Sequence, residues 1–224
     1  IVEINGGSLR NAIPRESFAT ITANADYLKE FNSRAALIKT EYLIQDNKLN
    51  ITIEETNSVS EAITLADTAK ITTTIYACHH GVFRMSRAIE GLVETSSSLA
   101  RVIVKDGEFI TQSLQRSSLE SGKWDVANTV AAPFRLMGCK VEQGGSYPGW
   151  APNPKSEILD IMNAKYEELF GEKPKVMAIH AGLECGLLGE RYPGLDMISF
   201  GPTIKGAHSP DERCGIKSTE KYLK

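Results

Sequence analysis

No apolar run in this 224-residue chain approaches the length needed to span a bilayer, and no run of lysine or arginine is longer than two. The first absence argues against a transmembrane helix. The second removes the electrostatic footprint expected of a protein that grips nucleic acid or anionic lipid, and a formal charge of −3 agrees with it. Cysteine is scarce as well. The four present, Cys78, Cys139, Cys185 and Cys214, form no C-x-x-C pair and have no histidine at zinc-finger spacing. That excludes a disulfide framework or a structural zinc knot as the source of stability and points to a reducing, cytoplasmic setting. The N-terminus lacks a basic segment followed by an apolar one, so no leader peptide is read there. Ile1 is not an initiator Met, and the chain reads as a piece of something longer.

The hydrophobic content of 42% and charged content of 24% are those of an ordinary globular protein with enough residues for a real core. The expected partners are small molecules or a second copy of the chain. An opening strand at Ile1 to Ile4 is punctuated by Asn5-Gly6-Gly7-Ser8, and Ser17 to Thr22 alternates as a second strand. Leu28, Phe31, Ala35, Ile38 and Tyr42 recur at helical spacing and predict a core-facing stripe. Leu49, Ile51 and Ile53 alternate as a half-buried strand. Ser58-Val59-Ser60-Glu61 has the form of a capping box opening a helix toward Tyr76.

Asp106-Gly107 between two strand-like runs predicts a hairpin. A helix follows from Glu120 toward Leu136, with Pro133 expected to kink or stop it, and Gly138 admits a short strand. The segment 144–154 holds three prolines and three glycines and marks a domain boundary. Beyond it the pattern predicts a helix capped by Asn153 with Pro154 in its first turn and ended by Gly171. A buried strand at Val176 to Ile179, a glycine-rich turn, a strand at Met197 to Phe200, a histidine-bearing loop and a last helix from about Cys214 complete the order.

Chemistry-bearing residues concentrate in 178–186 and 200–212, where glycines coincide with His180, Glu184, Cys185, His208 and Glu212. A cysteine five residues after a histidine admits a thiol nucleophile with its base, and equally a small buried side chain beside a strand-end histidine. His79 and His80 are adjacent, so their side chains point apart and joint ligation of a metal is disfavoured. They read as cations at a helix end.

Four blocks carry a resemblance: Ile1 to Ile4 with Asn5-Gly6-Gly7-Ser8-Leu9-Arg10-Asn11-Ala12-Ile13-Pro14-Arg15-Glu16, Gly91-Leu92-Val93-Glu94-Thr95-Ser96, Tyr147-Pro148-Gly149-Trp150-Ala151-Pro152-Asn153-Pro154, and Gly206-Ala207-His208-Ser209-Pro210-Asp211-Glu212. In this order they resemble the aminoacyl-histidine dipeptidases of the M20 metallopeptidase class, also called cytosolic nonspecific dipeptidases. The resemblance implies an α/β chain in two parts. Residues 1–146 would be an α+β lid of dimerisation type, two-layered with an antiparallel sheet and helices, and incomplete at its N-terminus. Residues 147–224 would be the C-terminal strand-helix portion of a zinc-peptidase-like catalytic domain.

The same resemblance implies hydrolysis of unblocked dipeptides such as Xaa-His by a metal-bridging hydroxide, with two zinc ions per complete site and manganese or cobalt as alternatives. His208 would be one metal ligand. Asn11 would help hold the scissile carbonyl, Arg116 would receive the substrate carboxylate, and Glu184 would pair with the free amino group. The bland alternatives are an Asx turn for Asn11, a surface ion pair for Arg116 and a helix-start carboxylate for Glu184. No His-x-Asp motif occurs, and Glu54-Glu55 and Glu167-Glu168 stand in other settings, so the chain is expected neither to bind the metals fully nor to be active alone. Rival expectations are a non-catalytic dimerisation or binding module, with a homodimer formed through the lid, and a thiol hydrolase using Cys185.

Overall fold

The computed structural model describes residues 1–56, 59, 61–178, 183–207 and 211–224, with Leu183 described for its backbone alone. The chain is a mixed α/β protein built on an antiparallel sheet. Its elements are β1 (Glu3–Gly6), β2 (Ser17–Thr20), α1 (Asp26–Glu41), α2 (Leu65–Ala77), β3 (Gly81–Met85), β4 (Val93–Lys105), β5 (Glu108–Ser117), α3 (Glu120–Met137), α4 (Glu157–Phe170), α5 (Leu183–Arg191), β6 (Ile204–Lys205), β7 (Arg213–Cys214) and α6 (Ile216–Tyr222). β4 is the spine of a five-stranded sheet in the order β2-β1-β4-β3, with β5 also paired to β4. β1 sets Ile4 opposite Val104 and Gly6 opposite Val102. The β4–β5 hairpin turns on Asp106 and Gly107, whose φ angles of 50° and 77° are the left-handed pair that a two-residue hairpin turn requires.

The chain divides into two compact units. One comprises Ile1–Phe83, Ser96–Gln115 and Asp125–Gln143, the other Arg84–Thr95, Arg116–Trp124 and Gly144–Lys224. In the first, Val126, Val130 and Phe134 recur one turn apart on α3 and join Cys78 in a buried cluster. Phe83, Leu99 and Phe109 from three strands pack against it. Burying such side chains contributes roughly 1.5–3 kcal/mol each, and burial also pushes the Cys78 thiol up from its ordinary pKa. In the second unit, Lys221 of α6 donates to Tyr166 at 2.5 Å and Glu172 at 2.7 Å. Its ammonium also lies over the rings of Tyr166 and Phe170, which fastens α6 to the end of α4.

Several expectations are corrected. α2 opens at Leu65, capped by Thr64, whose hydroxyl accepts from the Asp67 backbone N–H; Ser58 and Ser60 of the expected capping box lie outside the described residues. The stripe on α1 is only half sunk, and no residue of that helix is buried. Residues 49–53 alternate in burial without joining a ladder. Pro133 does not stop α3, which runs on to Met137, and no strand follows Gly138. Ser156 rather than Asn153 caps α4, accepting from Leu159 N–H, because Asn153 turns its oxygen to Lys155 and its amide to Asp196. Of the strand expected at Val176 to Ile179, residues 176–178 form none and Ile179 lies outside the described residues, and Met197 to Phe200 forms none either. Their apolar residues have β propensity but no neighbouring backbone to pair with among the described residues, and Met177 is 82% exposed.

Candidate functional site

Strand alternation decides what Arg116 can do. It is exposed near the end of β5 while the next residue, Ser117, is buried. Successive side chains on a strand face opposite ways, so fixing Ser117 inward presents Arg116 outward. No hydrogen bond or ion pair to a described residue engages the Arg116 guanidinium, which leaves its planar fork open to an anion. The surface ion pair weighed as its alternative is not formed among these residues.

Ser117 is held from several directions. Its hydroxyl stands 2.8 Å from that of Thr95, which is fully buried, and accepts from the backbone N–H of Leu119 at 3.1 Å. Thr95 in turn donates to Glu94 at 3.4 Å, and Arg84 faces the same carboxylate oxygen at 3.5 Å. The backbone N–H of Ser118 donates to the Glu94 carbonyl. Gly122 of α3 presses on the hydroxyl pair, since a Cβ there would meet both oxygens at 2.9 Å.

Two further glycines bring chain segments close. A Cβ on Gly149 would stand 2.6 Å from the Ser117 carbonyl oxygen, and one on Gly186 would stand 2.6 Å from that of Pro148. The end of β5, the 148–149 segment and α5 are thus stacked backbone on backbone, which brings the strand end that carries Arg116 and the helix that carries Glu184 into one neighbourhood. Lys123 reinforces the stack by donating to the Tyr147 carbonyl at 2.8 Å. The same lysine, ahead of the Trp124 indole N–H, holds the Glu120 carboxyl below its usual range.

Glu184 lies in the first turn of α5, exposed, with no described partner for its carboxylate. This is the helix-start position of its alternative reading, and it also leaves the group free to meet an amine. Cys185 follows it and lines a cavity of about 420 Å³ with Pro148, Trp150, Gly186, Glu190 and Met197 among its walls. No hydrogen bond among the described residues joins the thiol to a base, and His180 lies outside those residues. At one end of the cavity Asp196 accepts from Ser156 at 2.9 Å, Ile158 N–H at 3.1 Å and Asn153 at 3.2 Å. The Ile158 N–H foremost, and then the Ser156 hydroxyl and the Asn153 amide, hold the Asp196 carboxyl below its ordinary value.

His208 lies outside the described residues, but the loop that carries it does not lack an anchor. β6 and β7 pair Ile204 with Cys214 and Lys205 with Arg213. Below them Gly215 N–H donates to the Thr203 carbonyl, while Ser218 accepts from Thr203 N–H at 2.9 Å and donates to the Gly215 carbonyl at 2.7 Å. In the other unit, Asn11 is exposed in a turn, and among the described residues no side-chain bond of its alternative Asx type closes on it. His79 packs its ring edge against Phe83, and His80 accepts the backbone N–H of Leu99 at 3.0 Å, so neighbouring histidines do diverge. They stand past the end of α2 and pack on strand residues instead of facing its carbonyls. Among the described residues no group of three or more His, Cys, Asp or Glu is arranged to hold a metal ion, so these residues alone do not fit a resident metal.

Sequence reasoning passed over Thr95, Ser117, Gly122 and Asp196, whose contacts hold the segments around Arg116 and the cavity. Their signal was faint. Polar side chains on both faces of a strand carry no period, and a buried hydroxyl looks like an exposed one in sequence.

Comparison with known proteins accounts for nearly all of the chain. The sequence profile of "Peptidase family M20/M25/M40" matches residues 22–224. A cytosol non-specific dipeptidase of Escherichia coli (strain K12) is 38% identical over 226 residues, covering 99% of this chain and 47% of that protein. The crystal structure of an aminoacylhistidine dipeptidase from Vibrio alginolyticus superposes with a TM-score of 0.86 at 40% identity, over 99% of this chain and 46% of that one. The chain spans about half the length of the relatives it matches.

Proposed function

Because this chain belongs to peptidase family M20/M25/M40, we propose that it supplies the lid and substrate-holding wall of a metal-dependent cytoplasmic dipeptidase acting on unblocked dipeptides such as Xaa-His. The observation that carries this reading is the open guanidinium of Arg116, presented from a strand end whose next residue is locked inward. A fork of N–H donors with no partner among the described residues suits the terminal carboxylate of a peptide. Glu184, free of described partners at the start of α5, supplies the complementary charge for the terminal ammonium. Asn11, exposed on its turn, would donate to the scissile carbonyl oxygen as negative charge grows on it.

M20 peptidases are metal-dependent, typically on zinc. Here His208 is the one residue proposed as a ligand, with the remaining ligands and the general base coming from outside this sequence. When bound, the divalent metals would supply Lewis acidity and an activated water. The 224 residues alone are accordingly proposed to be inactive. Two measurements test the reading. The active enzyme should cleave a free dipeptide and discriminate by roughly ten- to a hundredfold against the same dipeptide amidated or N-acetylated, since each block leaves a charged partner unpaired; equal rates would refute it. A homogeneous preparation of this chain should show no chelator-sensitive hydrolysis, and finding it would remove the claim of inactivity.

A second reading, a dimerisation module, is favoured by one feature. Among the described residues β2 pairs only with β1 and β5 only with β4, and these outer strands expose Phe18 and Ile110. A thiol hydrolase centred on Cys185 has no such support.

A further inference from the structure

We propose that Thr95 and Ser117 are positioning residues for Arg116, and that through it they set the preference for substrates with a free C-terminal carboxylate. The inference rests on the carboxylate-receiving role of Arg116 proposed above and extends it to groups that touch no substrate. Thr95 is fully buried and Ser117 is 4% exposed, yet both carry hydroxyls where an apolar pair would pack without any polar group to satisfy. Such a pair is useful for the geometry it imposes. Each proton is used once: Ser117 donates to Thr95, Thr95 donates to Glu94, and the remaining acceptor capacity of Ser117 takes the Leu119 N–H.

This chain of bonds joins the start of β4 to the end of β5 at the residue next to Arg116. Gly122 closes over the hydroxyls and Gly149 over the Ser117 carbonyl, each crossing leaving no room for a Cβ. Arg116 itself has no described partner to orient it. The strand face it leaves from and the point where its side chain begins are therefore set by the backbone, which the hydroxyl pair holds in place. A guanidinium that must meet a planar carboxylate with two parallel bonds is sensitive to such a tilt, whereas a neutral amide terminus is not.

The test compares Thr95→Val, Thr95→Ser, Ser117→Ala and Arg116→Ala in the metal-loaded, active enzyme, using one dipeptide as the free acid and as the amide. Thr95→Val and Ser117→Ala are expected to raise KM for the free acid by about tenfold, the worth of one charge-assisted hydrogen bond held off its best geometry. Hydrolysis of the amide should hold steady, with kcat for the acid nearly unchanged, and Thr95→Ser should restore the preference. A purely structural lesion would depress both substrates together. If Arg116→Ala leaves the preference intact, the carboxylate reading and this inference both fall. If Arg116→Ala abolishes it while Thr95→Val and Ser117→Ala preserve it, or if both substrates fall equally, the carboxylate reading stands and the positioning role is overturned.

Discussion

Gly149 and Gly144 lie five residues apart in the same glycine- and proline-rich segment, and alanine is expected to have opposite effects at the two. At Gly149 the new Cβ would stand 2.6 Å from the Ser117 carbonyl oxygen and 2.8 Å from that of Ser118. A comfortable carbon–oxygen approach is about 3.3–3.6 Å, so the segments must separate by most of an ångström. The obstructing atoms are backbone, and no rotamer change relieves them. Overpacking of this kind costs about 1–3 kcal/mol, and the upper end applies where nothing flexible can yield. For a chain of this size each kcal/mol lowers the midpoint by roughly 2–4 °C, so Gly149→Ala should melt about 6–12 °C lower by circular dichroism. At Gly144 no atom lies within 4 Å of an added Cβ and φ is not left-handed. Alanine there restricts the unfolded chain and should stabilise by about 0.4–1 kcal/mol. If the two variants melt within about 1 °C of each other, the close crossing at Gly149 is not what holds this corner together.

Acid should loosen the second unit through Asp196 and Glu172. Both have folded pKa values below their ordinary ones, Asp196 chiefly through the Ile158 N–H and Glu172 chiefly through Lys221. Their stabilisation is therefore complete above the unfolded values of about 4 and is lost as pH falls through the lower folded values. Lys221, raised chiefly by Glu172, gives the opposite sign: its contribution is present below about 10.4 and lost as pH rises through its higher folded value. Unfolding followed by tryptophan fluorescence should then weaken below pH 4 in the native chain and show a shallower acid slope in Asp196→Asn; an unchanged slope would contradict the assignment. For the dimerisation reading, light scattering coupled to size exclusion should give a mass near 49 kDa, twice the 24.5 kDa of one chain, and a charged residue at Ile110 should return it to the monomer. A strictly monomeric chain over a wide concentration range would end that reading.

The parts of the fold that could be read from sequence are those whose partners lie nearby in the chain. The Asp106-Gly107 hairpin, α1 and the Gly171 stop of α4 each depend on local chemistry, namely a turn type, a helical period and a left-handed cap, while β2 ends at Thr20 and shows no alternation in burial. Misreadings gather where a distant group wins. Asn153 has the right side chain to cap α4, but Asp196, forty-three residues on, claims its amide and bonds the first turn itself. Pro133 has no N–H to give, yet the packing of Val126, Val130 and Phe134 outweighs that loss and carries α3 past it. The strands expected from Val176 and at 197–200 needed ladders, which the described residues there do not join, and a ladder is a property of two segments, not of one.

The same distinction governs the site. Arg116, Glu184 and Asn11 could be singled out because a charged or amide side chain declares its chemistry in one letter, and a family pattern supplied the role. The proposed setting of Arg116 is spread over Thr95, Ser117, Gly122, Gly149 and Gly186, none of which announces itself. A serine at the end of a strand reads as solvent-facing until a threonine twenty-two residues earlier is seen 2.8 Å away, and a glycine reads as a flexible break until its missing Cβ is found to be the space another backbone occupies. The glycines in the 144–154 segment and in α5 are therefore not equivalent loosening residues. At Gly149 and Gly186 the absence of a side chain lets three backbones stack, and a strand end placed by such crossings is what an exposed arginine with no described partner needs if it is to be presented to a carboxylate from one face.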